Sequence, residues 1–276
     1  MEKSTYQGIP GEFVELALRD LADGNIAQLR DALCNLHPAE IASLLEGMPP
    51  EQRGLTWELV GEQARGEVLA HARDEVRATL IDDMDRAELV TAAVQMDDED
   101  LAEVVEELPA DLTESLLSAL DDDHRLRVEA VLSYPEGTAG RLMSTDVVSV
   151  RGDVNLAVVL RWLRRHAGLP PHTDALMVLA DDGRYIGKLD MADVVTGDPD
   201  LAVQEVMKPE AETVLASASE HEVAALFERR DLISVAVLDD EDRLLGRITI
   251  DDVVDIIRDE ADRVLLASAG LEEEED

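Results

Sequence analysis

The sequence predicts a mixed fold of the α+β, multidomain kind, in which an N-terminal superhelix of α-helical repeats precedes two α/β units. Three observations support this prediction. Apolar residues recur at helical spacing from residue 12 to about residue 133. A helical segment recurs within that region, and a strand–turn–strand–helix pattern occurs twice after it. The 276 residues suffice for about two domains, since a domain usually has roughly 100–200 residues.

The helical part, residues 12–133, contains repeated short amphipathic segments. Residues 40–49 (EIASLLEGMP) align with residues 100–109 (DLAEVVEELP), and residues 88–96 (ELVTAAVQM) form a weaker copy. Prolines mark the starts and turns of these segments, where proline is tolerated. Because such a short helix cannot bury its apolar face alone, we expect the repeats to stack into a superhelix.

The second part contains an internal repeat, a unit of roughly sixty residues that occurs twice. Residues 187–195 (GKLDMADVV) match residues 246–254 (GRITIDDVV) position for position. The preceding residues 175–184 (ALMVLADDGR) align without a gap with residues 234–243 (SVAVLDDEDR). Each copy therefore predicts an apolar strand, an acidic turn, a second strand and a helix that opens with aspartate, which the helix dipole favours.

The paired units resemble a tandem of CBS domains. Residues 142–145 (LMST) and 206–209 (VMKP) resemble the segments that lead into the first and second CBS units. Residues 134–143 (YPEGTAGRLM) resemble the junction between the helical domain and the CBS pair in the MgtE family of magnesium transporters. This resemblance implies a flexible N-terminus (1–11), an MgtE-type N-terminal helical domain (12–133), a linker (134–141), CBS domain 1 (142–203), CBS domain 2 (204–262), and the start of a connecting helix with an acidic tail (263–276).

The charge of the chain limits its partners. The formal net charge is −39, and a free polyanion binds nucleic acid and anionic membrane surfaces poorly. Nucleic acid is therefore not an expected partner. Two interpretations of the acids remain open: a general surface adaptation like that of proteins from high-salt cytoplasm, or local carboxylates that hold divalent cations. The scarcity of lysine, with three in the chain, favours the first interpretation for most of them.

Other features of the sequence indicate a cytoplasmic location. Cys34 is the single cysteine, which excludes an intrachain disulfide and suits a reducing compartment. No segment approaches the roughly 18 apolar residues needed to span a bilayer, and the N-terminus lacks an apolar secretory core. The six histidines show no metal-binding spacing, and no nucleophile elbow is present, so we predict that the protein is not an enzyme.

The resemblance to the MgtE family implies Mg²⁺ ligands on both parts of the chain. Mg²⁺ prefers oxygen ligands and usually takes one or two carboxylates per site. The acidic helix of the family's N-terminal domain falls on Glu99 and Glu103, one helical turn apart. The family's ligands on the CBS side fall on Asp231, Asp252, Asp255 and Glu260. The alternative for each acid is a solvated side chain on an acid-rich surface.

The resemblance to CBS pairs also implies binding of ATP or another adenine nucleotide. The helix-opening aspartate of a CBS unit binds ribose hydroxyls, and Asp193 and Asp252 occupy that position, with Thr249 beside the latter. Lys208 is one of the few cations near enough in sequence to neutralise phosphate. A glycine-rich loop that would cradle phosphates is missing.

These expectations combine into a hypothesis about function. The chain is expected to be the cytosolic Mg²⁺-sensing regulatory part of an MgtE-type transporter or channel, in which bound Mg²⁺ closes the acidic helical and CBS domains on each other. The resemblance implies a homodimer through the CBS domains and a membrane-embedded transporter domain, in cis or as a separate subunit. The alternative is a free-standing CBS regulator that binds an adenine nucleotide and controls a partner protein. A third hypothesis is that the chain is a structural scaffold that binds neither Mg²⁺ nor a nucleotide.

Overall fold

The computed structural model describes residues 10–165, 168–254 and 256–257. Contacts divide the chain into two units between Val128 and Glu129. Two of the predicted metal ligands, Asp255 and Glu260, and the predicted connecting helix and tail (263–276) lie outside the described residues, as do residues 1–9.

The first unit is built from short α-helices, as the repeats predict. They are α1 (Pro10–Ala22), α2 (Ile26–Leu33), α3 (Pro38–Glu46), α4 (Pro50–Trp57), α5 (Glu62–Ala70), α6 (Asp74–Asp82), α7 (Arg86–Ala93), α8 (Asp98–Glu107), α9 (Ala110–Ala119) and α10 (Asp122–Leu132), which contains the point of division. Helix α1 begins two residues before the predicted domain start, at Pro10, and proline suits a first helical turn. The repeated segments of the sequence lie in α3, α7 and α8.

Helix packing in the first unit follows the order of the repeats. Helices α1, α3, α5, α7 and α9 contact one another in succession. Leucines of these helices and of the helices between them supply a core that includes Leu29, Leu45, Leu69, Leu80, Leu101 and Leu116, each at most 1% exposed. This succession confirms the predicted stack of helices, because each helix covers the apolar face of its neighbour.

The second unit contains two three-stranded sheets with the same topology. After α11 (Ala139–Leu142), the first α/β repeat consists of β1 (Ser149–Arg151), α12 (Leu156–Leu163), β2 (Ala175–Leu179), β3 (Tyr185–Asp190) and α13 (Met191–Thr196). After α14 (Val203–Val206), the second α/β repeat consists of β4 (Thr213–Leu215), α15 (Glu220–Arg230), β5 (Ser234–Leu238), β6 (Leu244–Thr249) and the helical residues 250–254 and 256–257. In each sheet the first two strands are parallel and the last two antiparallel. The predicted βαββα order is confirmed.

Each α/β repeat is completed by the segment that leads into the other one. Ser144, before the first repeat, exchanges two backbone hydrogen bonds of 2.9 Å with Arg247 of β6. Lys208, before the second repeat, exchanges bonds of 2.7 and 3.1 Å with Lys188 of β3. The two repeats therefore form one interlocked structure within the second unit. Among the described residues, no helix has the length and apolar character needed to cross a membrane.

Candidate cation and nucleotide sites

Helix α8 carries the acidic side chains that the sequence predicts on the N-terminal domain. Its first turn contains Asp98, Glu99 and Asp100, which the positive end of the helix dipole favours. Glu103 follows Glu99 by one turn, and its side chain is 58% exposed. One oxygen of Glu99, Oε2, is buried. Glu103 is therefore the more accessible of the two predicted ligands.

The start of α8 is held by basic residues of α10. Asp98 is 5% exposed, and its two oxygens accept hydrogen bonds of 3.2 and 3.0 Å from Nε of Arg127. The ring nitrogen Nε2 of His124 lies 3.5 Å from Oδ1 of Asp98. A buried carboxylate needs such partners, and these contacts fix the position from which Glu99 and Glu103 project.

A buried arginine lies beside the predicted ligand Glu103. The side chain of Arg77, on α6, is 6% exposed. It donates a hydrogen bond of 2.8 Å to Oδ1 of Asp74 and one of 3.4 Å to Oε2 of Glu103. No pattern in the sequence singles out Arg77, because 26 residues separate it from Glu103 and only the packing of α6 near α8 brings the two together.

The predicted acids of the second α/β repeat occupy two different local structures. Asp231 is exposed and caps the C-terminus of α15 in the left-handed conformation, with φ of 50°. Oδ2 of Asp252 accepts a hydrogen bond of 2.7 Å from the backbone N–H of Thr249 and lies 3.0 Å from its hydroxyl oxygen. Burial raises the pKa of Asp252 to about 6.

The described residues do not by themselves form a complete metal site. Within them, no group of three or more histidine, cysteine, aspartate or glutamate side chains is arranged to hold a metal ion. The six predicted ligands therefore stay predictions.

A cavity of about 500 Å³ lies beside β3 and the segment that leads into the second repeat. Its lining includes Lys188 and Lys208, two of the three lysines in the chain, together with Glu210, Glu212 and Ser234. The two lysines are the cationic side chains of this lining, and Glu210 and Glu212 oppose their charge. The sequence analysis predicted Lys208 here from its nearness in sequence but did not predict the cavity, and the scarcity of lysine is the signal that would have drawn attention to Lys188 as well.

The charge of Lys208 is balanced by neighbouring carboxylates. Its ammonium group donates a hydrogen bond to Oδ2 of Asp190, and this bond is the largest cause of a raised pKa of Lys208. The negative charges of Asp193 and Asp174 act in the same direction. The structure thus brings the predicted residues Asp193 and Lys208 near each other. It adds Asp190, an aspartate at the position where the second repeat has the hydroxyl of Thr249.

The equivalent position of the second repeat is arranged differently. The hydroxyl oxygen of Thr249 lies 2.6 Å from Oδ1 of Asp251, so this hydroxyl is engaged by its own helix start. Arg247, which takes the place of Lys188, donates to the backbone carbonyls of Pro171 and His172 at 2.6 and 3.3 Å. Thr249 and Asp252 are thus in contact with each other but do not line the lysine cavity.

Comparison with known proteins identifies the family. The family model described as the MgtE intracellular N domain matches residues 36–137, and the CBS domain model matches residues 203–259. A crystal structure of the cytosolic domain of the Mg²⁺ channel MgtE in complex with ATP is 30% identical, with a TM-score of 0.79, and the match covers 88% of this chain and 99% of that one. The chain belongs to the MgtE family.

Curated MgtE relatives are longer than this chain. The magnesium transporter MgtE of Thermus thermophilus is 32% identical over 245 residues, which are 87% of this chain and 54% of that protein. The magnesium transporter MgtE of Bacillus subtilis is 26% identical over 242 residues, which are 88% of this chain and again 54% of the relative. The chain therefore spans about half the length of the curated relatives it matches.

A second solved structure supports the fold. The crystal structure of the soluble part of a magnesium transporter is 20% identical, with a TM-score of 0.76, and the match covers 92% of this chain and all of that one. The predicted family and the predicted order of a helical domain followed by a CBS pair are both confirmed.

Proposed function

We propose that this MgtE-family chain is the cytosolic Mg²⁺-sensing regulatory region of a magnesium transporter and has no enzymatic role. The observation that carries the proposal is the likeness, along 88% of the chain, to the cytosolic domain of an Mg²⁺ channel. The expected partners are a membrane-embedded transporter domain, in cis or as a separate subunit, and a second copy of the chain bound through the CBS domains.

The proposed mechanism is electrostatic. The chain carries a net charge of −39, so its two units repel each other when few cations are present. At high Mg²⁺ concentration, ions bridge the acids of α8 to the acids of the CBS pair, and the units approach each other. The bridging acids are Glu99 and Glu103 on one side and Asp231, Asp252, Asp255 and Glu260 on the other. Because Mg²⁺ keeps several waters and takes few carboxylates, such sites are weak, as a sensor of abundant Mg²⁺ requires.

The experiment that tests the proposal is small-angle X-ray scattering of the full chain across an Mg²⁺ titration at fixed, high ionic strength. Fixed ionic strength separates specific bridging from general screening of charge. We expect the radius of gyration to fall with a saturable midpoint, and the scattering mass to report whether the chain is a dimer. Dimensions that do not change between Mg²⁺-free and Mg²⁺-saturated solutions would rule the mechanism out.

The double variant Glu99→Ala with Glu103→Ala tests the ligands on α8. It removes two oxygen donors, so we expect the Mg²⁺ midpoint to rise by about tenfold or more, or the compaction to disappear. The matched control is Glu51→Ala with Glu58→Ala, which removes the same charge from two exposed residues of the α4 region. If both double variants respond alike, the effect of α8 is one of net charge only.

A second candidate function, binding of an adenine nucleotide, is favoured by the lysine cavity. Lys188 and Lys208 would bind phosphate groups in place of Asp174 and Asp190, with which they pair, and Asp193 lies near Lys208 for a ribose. The related cytosolic domain was crystallised with ATP. Calorimetry with ATP, in the absence and presence of Mg²⁺, tests this candidate. ATP binding by a chain that does not become more compact with Mg²⁺ would favour the free-standing CBS regulator instead.

A further inference from the structure

Arg77 is a buried cation that faces a proposed Mg²⁺ ligand from inside the same unit. Its side chain is 6% exposed, while those of Asp74 and Glu103, which it contacts, are 84% and 58% exposed. Arginine stays protonated at every accessible pH, so this positive charge is permanent. A permanent buried charge must be balanced by carboxylates, and Glu103 is one of the groups that balance it.

The contacts of Arg77 with Asp74 and with Glu103 differ in length. The bond to Asp74 Oδ1 measures 2.8 Å and has the normal length of a charge-assisted hydrogen bond, whereas the one to Glu103 Oε2 measures 3.4 Å and is near the outer limit. Asp74 thus holds the guanidinium more closely than Glu103 does. The contact with Arg77 therefore offsets part of the negative field of Glu103, but at this length it is a weak hydrogen bond.

We propose that Arg77 sets the Mg²⁺ sensitivity of the α8 acids by acting as an internal competitor for Glu103. A divalent ion at Glu103 must share that carboxylate with the guanidinium and must also approach a fixed positive charge. Both effects weaken Mg²⁺ binding and move the response to higher concentration. Asp74 opposes them, because it draws the guanidinium toward α6. This inference rests on the proposed Mg²⁺-sensing function.

The first test is the Arg77→Gln variant of the full chain, titrated with Mg²⁺ in the scattering experiment described above. Loss of the competitor should lower the Mg²⁺ midpoint by roughly threefold to tenfold, the range between an exposed ion pair and a hydrogen bond to a charged group. Arg73→Gln is the matched control, because it removes the same charge from an 86% exposed residue just before α6. Thermal unfolding shows whether each variant remains folded.

The second test uses Asp74, whose substitution leaves the buried arginine in place. Asp74→Asn should raise the Mg²⁺ midpoint, since Arg77 then holds Glu103 more strongly. In the Arg77→Gln background the same substitution should change the Mg²⁺ midpoint less, because no guanidinium is left for Asp74 to hold. The difference between the two backgrounds isolates the contribution that passes through Arg77. If Arg77→Gln does not fold, Asp74→Asn is compared with Glu75→Gln, which removes the same charge from the neighbouring exposed position of α6, and only a larger rise of the midpoint in Asp74→Asn supports the competitor.

The outcomes separate this inference from the function on which it rests. A wild-type chain with no Mg²⁺ response overturns both. A wild-type response with an Arg77→Gln midpoint that is unchanged, raised, or shifted no further than that of Arg73→Gln overturns the competitor alone. An unchanged or lowered midpoint in Asp74→Asn overturns it as well. A lowered midpoint in Arg77→Gln that Arg73→Gln does not reproduce, together with a raised one in Asp74→Asn, supports it.

Discussion

At the scale of single residues, Glu88 shows how one side chain connects two helices of the repeat stack. Its Oε2 accepts a hydrogen bond of 2.9 Å from the backbone N–H of Asp85, which completes a capping box at the start of α7. Its Oε1 pairs at 2.8 Å with Arg65 of α5, whose guanidinium lies 5.2 Å from the ring centre of Trp57. The bond from Asp85 N–H, followed by that from Arg65, lowers the pKa of Glu88.

Replacement of this residue should give a pH-dependent loss of stability. Because the pKa of Glu88 is lower in the folded chain than its usual 4.5, its contribution is present above that value and is lost as the pH falls through the folded pKa. We expect Glu88→Gln to lower the free energy of unfolding by about 1 kcal/mol at neutral pH, since the side chain is 39% exposed and the ion pair is screened.

Urea denaturation at neutral and at acidic pH checks this expectation. The difference between Glu88→Gln and the wild type should shrink in acid. Glu67→Gln, at an exposed position of α5, is the control and should change little at either pH. A deficit in Glu88→Gln that is equally large in acid would show that the charge of Glu88 is not responsible.

At the scale of elements, each α/β repeat has a glycine in its last strand at the point where the segment leading into the other repeat packs against that strand. A Cβ atom on Gly246 of β6 would lie 2.5 Å from the carbonyl oxygen of Ser144, and one on Gly187 of β3 would lie 2.5 Å from that of Lys208. Both distances are shorter than a van der Waals contact, and the two obstructing oxygen atoms belong to the backbone. The shared glycine of the repeat is thus explained by the segment from the other repeat that runs against it.

The Gly246→Ala variant should therefore destabilise the second unit. The added methyl group would push the 144–247 pairing apart, at a cost of about 1–3 kcal/mol, as is typical of overpacking. Gly54→Ala is the control, and we expect it to raise the free energy of unfolding rather than lower it. It lies within helix α4, where the added atom meets only Oδ2 of Asp83 at 3.6 Å, and alanine is favoured in a helix by up to about 1 kcal/mol. Urea denaturation of both variants measures the two effects.

At the scale of the whole molecule, the dominant feature is the excess of negative charge. The net charge of −39 is spread over 276 residues with a sequence pI near 4.2, and many of the acids lie on exposed helix faces. Mutual repulsion of this kind destabilises the folded chain unless salt screens it. The same charge is what makes the chain responsive to cations in the proposed mechanism.

We expect added salt to stabilise the chain. Raising KCl from ~0.1 M to ~1 M shortens the Debye length from about 10 Å to about 3 Å, and we expect the apparent unfolding temperature to rise by on the order of 5 °C. Circular dichroism during heating measures it. NaCl at the same concentrations should give the same rise if the effect is screening. A constant or falling unfolding temperature would contradict the general interpretation of the surface acids.

The sequence by itself determined the architecture and the family. The repeats at residues 40–49 and 100–109 predicted the helix stack, and the matched residues 187–195 and 246–254 predicted the βαββα units, because each pattern is local and periodic. The tertiary structure alone decided the contacts between residues far apart in the chain: Arg77 with Glu103, the two exchanged lead-in segments, and the pairing of Lys208 with Asp190. Such contacts depend on how elements pack, and no spacing along one sequence encodes them.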